Sequence, residues 1–149
     1  MRKTKGQAAM EFLMTYGWAI LAAIIVIGVL AVYFRPGQTI SDQVVVGVPF
    51  YGVGAVVGTG QIQVEIRNNG GEDLTTSAAT LNFRTPNGAS CNAATGTGAI
   101  PAGQTQTLTF AGCTNIPAGS TVNADLTISY TRPGSQLTLS STGSITGSA

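Results

Sequence analysis

Hydrophobic and polar positions follow two different rules along this chain, and the change falls near residue 37. Phe12 to Phe34 is a run of 23 residues with no charge and no proline, apolar on every side. As a helix rising about 1.5 Å per residue it reaches about 34 Å, enough to cross a bilayer core of about 30 Å. A buried helix of a soluble domain is the alternative, but such helices carry apolar runs of about 10–14 residues, not a run this long and uniform. The pattern predicts one continuous rod from about Ala8 to Phe34, with Gly28 its weak point and Tyr33 and Phe34 at headgroup level. Arg35-Pro36-Gly37 should end it, because Arg35 suits the negative helix end and Pro36 cannot continue the hydrogen-bond ladder.

Beyond residue 37 the period becomes two. Gln61-Ile62-Gln63-Val64-Glu65-Ile66 alternates strictly, as a strand with one buried face must, and Asn68-Asn69-Gly70-Gly71 marks a turn after it. Further strands are predicted over 43–48, 79–84, 104–110, 122–130 and 136–140. The Gly-rich segment 47–60 reads as a strand pair whose apolar face packs on the domain or on a neighbouring copy. It does not read as a phosphate cradle, because no helix follows it and it lacks the lysine of a nucleotide loop. Six or seven short strands with turns between them predict an all-β sandwich. The expected fold class is therefore α+β, a long N-terminal hydrophobic helix followed by a β-sandwich domain over 38–149. Pro101-Ala102-Gly103 and Pro117-Ala118-Gly119 each place a turn before an alternating strand. These turns resemble the turn-and-strand pattern of immunoglobulin-like adhesive domains.

Composition narrows the chemistry. The 149 residues include no histidine, only 9% are charged, and the net charge is +1. That removes the usual general base and the commonest zinc ligand, and it leaves no basic face for nucleic acid, so no nucleic-acid partner, metal or cofactor is expected. Asp42, Glu65, Glu72, Asp73 and Asp125 are the carboxylates outside the rod, and nothing in their spacing brings a chosen pair together for acid–base work. The chain reads as a non-enzyme. Cys91 and Cys113 both fall in the β region. Two thiols in an oxidising compartment most often pair, the alternative being two separate buried thiols. Serines and threonines are abundant, but there is no Asn-x-Ser/Thr sequon.

Charge is also unevenly placed. Arg2, Lys3 and Lys5 lie before the apolar run and orient the N-terminus to the cytoplasm, leaving the chain beyond Arg35 outside. A secretory signal has a small-residue cleavage site after an apolar run of about 7–15 residues. Here the run is longer and the small residue, Gly6, stands before it, with Glu11 five positions on. The segment Lys5-Gly6-Gln7-Ala8-Ala9-Met10-Glu11-Phe12-Leu13 closely resembles the class III signal peptide of archaeal type IV pilins, in which a basic leader ends in Gly and the mature chain begins Gln-x-x-x-Glu. The resemblance covers about residues 2 to 34.

That resemblance implies a leader over residues 1–6, a filament-core helix over 7–34, and cutting between Gly6 and Gln7 by a prepilin peptidase. It further implies a membrane-held form before assembly, an assembly machinery, and a homopolymer of the chain as an extracellular surface filament that serves adhesion. Gln7, Glu11, Phe12, Leu13, Ala19, Ala23 and Gly28 are the expected assembly residues, the small ones letting helices approach closely. A carboxylate in hydrocarbon costs several kcal/mol unless paired or protonated. Glu11 can simply sit at headgroup level; the resemblance implies instead that it meets the Gln7 amine of a neighbouring subunit. Many bacterial relatives carry a helix-breaking proline where Gly28 stands here, so an unbroken rod is expected. A singly anchored binding module needs the same apolar helix, and only the Gly6 to Glu11 pattern separates the two readings.

Overall fold

The computed structural model describes residues 3–34 and 42–149 and, of residues 3 and 4, the backbone alone. The chain divides into two compact units, Met1–Thr39 and Ile40–Ala149. Arg2, the Arg35-Pro36-Gly37 stop and the domain boundary expected at 38 lie outside the described residues.

The first unit is a single helix, α1, Lys3–Tyr33. It begins five residues ahead of the expected start near Ala8. The physical reason is the absence of any breaker: Lys5 and Gln7 are good helix formers, and Gly6 costs only about 1 kcal/mol against alanine where proline would cost about 3. The last bond runs from the Phe34 amide to the Leu30 carbonyl, 2.7 Å.

The second unit holds eight antiparallel strands in chain order: β1 (Gln43–Val46), β2 (Phe50–Val57), β3 (Gln61–Asn68), β4 (Leu74–Thr85), β5 (Ala99–Ile100), β6 (Thr105–Ala111), β7 (Thr121–Thr131) and β8 (Leu139–Ser148). They form a five-stranded sheet, β1-β8-β7-β4-β5, and a three-stranded sheet, β2-β3-β6. The α+β expectation is met. Alternation does what it must: Ile62, Val64 and Ile66 of β3 and Val122, Leu126 and Ile128 of β7 are fully buried, and both sheets contribute to one core. Phe50 of one sheet meets Tyr130 of the other edge-on, ring centroids 5.2 Å apart.

Two expectations change. The strand predicted over 136–140 is β8, which runs to Ser148. Beyond Leu139, which packs half-buried against the core at its start, its only large inward side chain is Ile145. The inward Ser141 hydroxyl donates to the Gly47 carbonyl at 2.7 Å, and Gly143 and Gly147 face neighbours that leave no space for a Cβ: the Val45 carbonyl for one, Asp42 and Val57 for the other. Such a strand shows no apolar alternation to read. Segment 47–60 supplies one strand rather than two, since the Gly58 amide turns back to the Gln61 carbonyl and β2 pairs with β3 through a bulge at Gly52/Gly54. At the edge of the larger sheet, β1 pairs with the last strand, β8.

Side chains fasten the corners. Asp42 accepts the Val57 and Ser148 amides at 2.7 and 3.1 Å, tying the ends of β2 and β8 to the start of the domain. Asn68 is fully buried where β3 leaves one sheet for the other. Its Nδ2 donates to the Glu72 and Ile100 carbonyls at 2.7 and 2.8 Å, and its Oδ1 accepts the Gly70 amide. In both Pro-x-Gly segments the residue after the glycine donates to the proline carbonyl, with Gly103 and Gly119 at φ 77° and 76°, the type II turn that favours glycine there.

Cys91 and Cys113 form a disulfide. It holds the segment between β4 and β5, which bonds the edges of both sheets: the Ala94 amide to Ala79 of β4, and Thr95 in a reciprocal bridge with Thr109 of β6. With a sequence separation of 22 residues, the link restricts the unfolded chain by about 3 kcal/mol.

Two stability outcomes are expected. Replacing both Cys91 and Cys113 by Ala should lower unfolding free energy by about 3 kcal/mol in urea titration. Asn68→Ala, which strands the Glu72 and Ile100 carbonyls, should cost about 1–3 kcal/mol in the same assay.

Candidate functional site

Gly6, Gln7 and Glu11 all lie within α1 and are exposed. The Gly6–Gln7 peptide is thus in regular helix, and a peptidase that needs extended backbone would first unwind this turn. Gln7 and Glu11, four residues apart, share one stripe of the helix, separated by about one turn. Among the described residues Glu11 forms no ion pair.

The rest of the rod is mostly apolar, and its large side chains are exposed. Lys5–Tyr33 is long and apolar enough to cross a membrane, with mean hydropathy 2.3 and no part of its most apolar stretch buried. Met14 is 81% exposed, Trp18 72% and Leu21 61%. The expected assembly residues do not gather on one face. At about 100° per residue, Phe12, Ala19 and Ala23 fall on one stripe, Leu13 about a quarter-turn beyond it, and Gly28 on another side. Phe12 stacks on Tyr16, ring centroids 4.9 Å apart. Gly28 floors a shallow groove between Ile25, Val29, Val32 and Tyr33, where a neighbouring helix could approach closely. A surface of this kind, spread around the circumference, suits contact with several partners at once.

The carboxylates of the β unit are mostly committed to its structure. Asp125 forms a two-pronged pair with Arg84 at 2.8 and 2.9 Å, Glu72 pairs with Arg132 at 3.3 Å, Asp73 accepts the Ala102 amide, and Asp42 holds two strand ends. Glu65 alone among these five makes no ion pair and holds no backbone amide among the described residues. Among the described residues no group of three His, Cys, Asp or Glu could hold a metal ion. Sequence reading missed the structural parts played by Asp42 and Asn68. Asn68 carried a partial signal as the first residue of a turn; Asp42 carried none, since its partners lie 15 and 106 residues away.

No protein-family model matches the chain, and no curated protein is significantly similar to it. The functional reading rests on the residues themselves.

The two units should separate cleanly in solution behaviour. Residues 40–149 expressed alone are expected to stay in the supernatant without detergent and unfold cooperatively, whereas the whole chain should need detergent; ultracentrifugation followed by circular dichroism checks both.

Proposed function

We propose that this chain is the structural subunit of an archaeal type IV pilus-like surface filament, with α1 in the filament core and the β unit coating the outside, serving adhesion. The observation that carries the reading is the pattern Gly6-Gln7…Glu11 at the head of a rod whose apolar surface is uncovered all round.

The physics gives that pattern a purpose. Before cutting, Arg2, Lys3 and Lys5 hold the rod to the cytoplasmic side of the membrane. Cutting after Gly6 by a prepilin peptidase removes these three charges and exposes an α-amine at Gln7, of ordinary pKa about 7.7–8.0. An assembly machinery can then draw the rod out of lipid, provided other copies cover it. Each large apolar side chain so covered contributes about 1.5–3 kcal/mol. Hydrophobic contact alone is indifferent to axial position, because Leu, Ile and Val ring the rod. Glu11 supplies the register: meeting the Gln7 amine of a neighbour offsets the two rods by about four residues, roughly 6 Å. Unpaired, the same carboxylate would be stranded in an apolar core at a cost of several kcal/mol. Gly6 is compatible with the role, since a Cβ there would meet nothing within 4 Å among the described residues and the fold itself does not demand glycine.

Surface fibres purified from the producing cells should contain this chain beginning at Gln7, read by N-terminal mass analysis. Gly6→Leu should leave the leader on and abolish fibres. Glu11→Ala should permit cutting but reduce fibre yield at least tenfold. Fibres that retain Met1 to Gly6, or a cut chain found only as detergent-soluble monomers, would contradict the proposal, and the second result would favour a singly anchored display module.

A further inference from the structure

The outer face of the three-stranded sheet is built differently from a plain solvated surface. Cross-strand partners share a face, so the register sets three rows there: Tyr51–Arg67–Thr105, Gly54–Glu65–Thr107 and Val56–Gln63–Thr109. The middle row lacks a side chain on β2. The result is a depression of about 240 Å³ lined by Gly54, Ala55, Val56, Gln63, Glu65 and Thr107. Tyr51, 59% exposed, stands one row away, about 7 Å along the strand.

We propose that this depression binds one pyranose ring of a neutral saccharide. Its volume is below the roughly 300 Å³ at which pockets for drug-sized ligands begin, so it takes a single small ring rather than an extended chain. Its polar groups offer both hydrogen-bond directions: the Glu65 carboxylate accepts, and the Gln63 amide and Thr107 hydroxyl donate and accept. That set matches neighbouring hydroxyls, each of which is donor and acceptor. Val56 supplies apolar surface for the C–H face of the ring, and Tyr51, outside the lining but one row away, is long enough to reach the rim with its ring and polar tip. Charge argues for a neutral ligand. Glu65 and Arg67 offset each other on this face, and Arg67 Nε is already donated to the Gly103 carbonyl at 3.1 Å. A lone carboxylate is too few oxygen ligands for a calcium ion, and phosphate would meet Glu65. Glu65 is also the β-unit carboxylate left over once the other four have their structural partners. The site goes beyond the filament reading and does not depend on it, since a polymerised or a singly anchored chain could carry it equally.

Gly54 provides the sharpest test. It does not take positive φ, and a Cβ built on it meets nothing within 4 Å, so Gly54→Leu has room to start and directs its side chain into the depression. The full chain, isotope-labelled in a detergent free of sugar and choline groups, is titrated with the methyl glycosides of glucose, mannose, galactose and N-acetylglucosamine to about 10 mM, where weak single-ring binding is measurable. Choline chloride and inorganic phosphate are titrated in parallel. The expected result is saturable movement of the Gly54, Glu65 and Thr107 amide signals with at least one glycoside. Affinity should fall at least tenfold in Gly54→Leu and in Tyr51→Ala, with unchanged thermal midpoints. No response to any glycoside, a response confined to choline or phosphate, or equal affinity in both variants would overturn the proposal. Should Gly54→Leu misfold, Tyr51→Ala decides it.

Discussion

Water cannot be the final environment of α1, and most of this protein's character stems from that constraint. Its most apolar stretch is not buried at all by its own chain, and large side chains such as Met14, Trp18 and Leu21 stand open around its circumference. Two surroundings satisfy such a rod, lipid and other rods of its kind. Both remove similar apolar area from water, so the hydrophobic term alone does not choose between them. On the proposed reading the choice falls to the few polar groups at the rod's N-terminal end: three cations that would favour the membrane-held form, and one carboxylate that is tolerable at headgroup level and would be useful between rods.

The β unit is organised on the opposite principle. It buries its own core between two sheets, with the buried polar side chains Asn68, Thr76 and Ser141 hydrogen-bonded within it. Its weak points are the sheet edges and the places where the chain changes sheets, and these are where its less common interactions sit. The disulfide holds a segment that bonds the open edges of β4 and β6, Asn68 fills the hydrogen bonds at one crossing, and Asp42 closes the corner where β1, β2 and β8 meet. Edges covered in this way are protected from indiscriminate strand pairing.

Legibility in the sequence tracks how local the cause is. The rod, β3, β7 and the two Pro-x-Gly turns are written in neighbouring residues, as hydrophobic period or turn chemistry, and can be read directly. β8 can be read only at its start, because after Leu139 its inward positions are Ser141, Gly143, Ile145 and Gly147, three of them small residues fitted to the close approach of β1 and β2. The start of α1 lies ahead of the apolar run because helix propensity recognises no boundary between the basic segment and the rod from Lys3 to Gln7. On the outer face of the three-stranded sheet, Tyr51, Gly54 and Glu65 become neighbours only through a bulged register, which no spacing along the chain reveals.

Electron cryomicroscopy of the surface fibres tests the central claim most directly, because it shows what surrounds α1. The account predicts a core of unbroken α1 rods packed at about 8–10 Å between axes, with Glu11 of one rod beside Gln7 of another and no lipid between them. Fibres whose core lacks α1, or α1 found only in lipid-embedded particles, would contradict it.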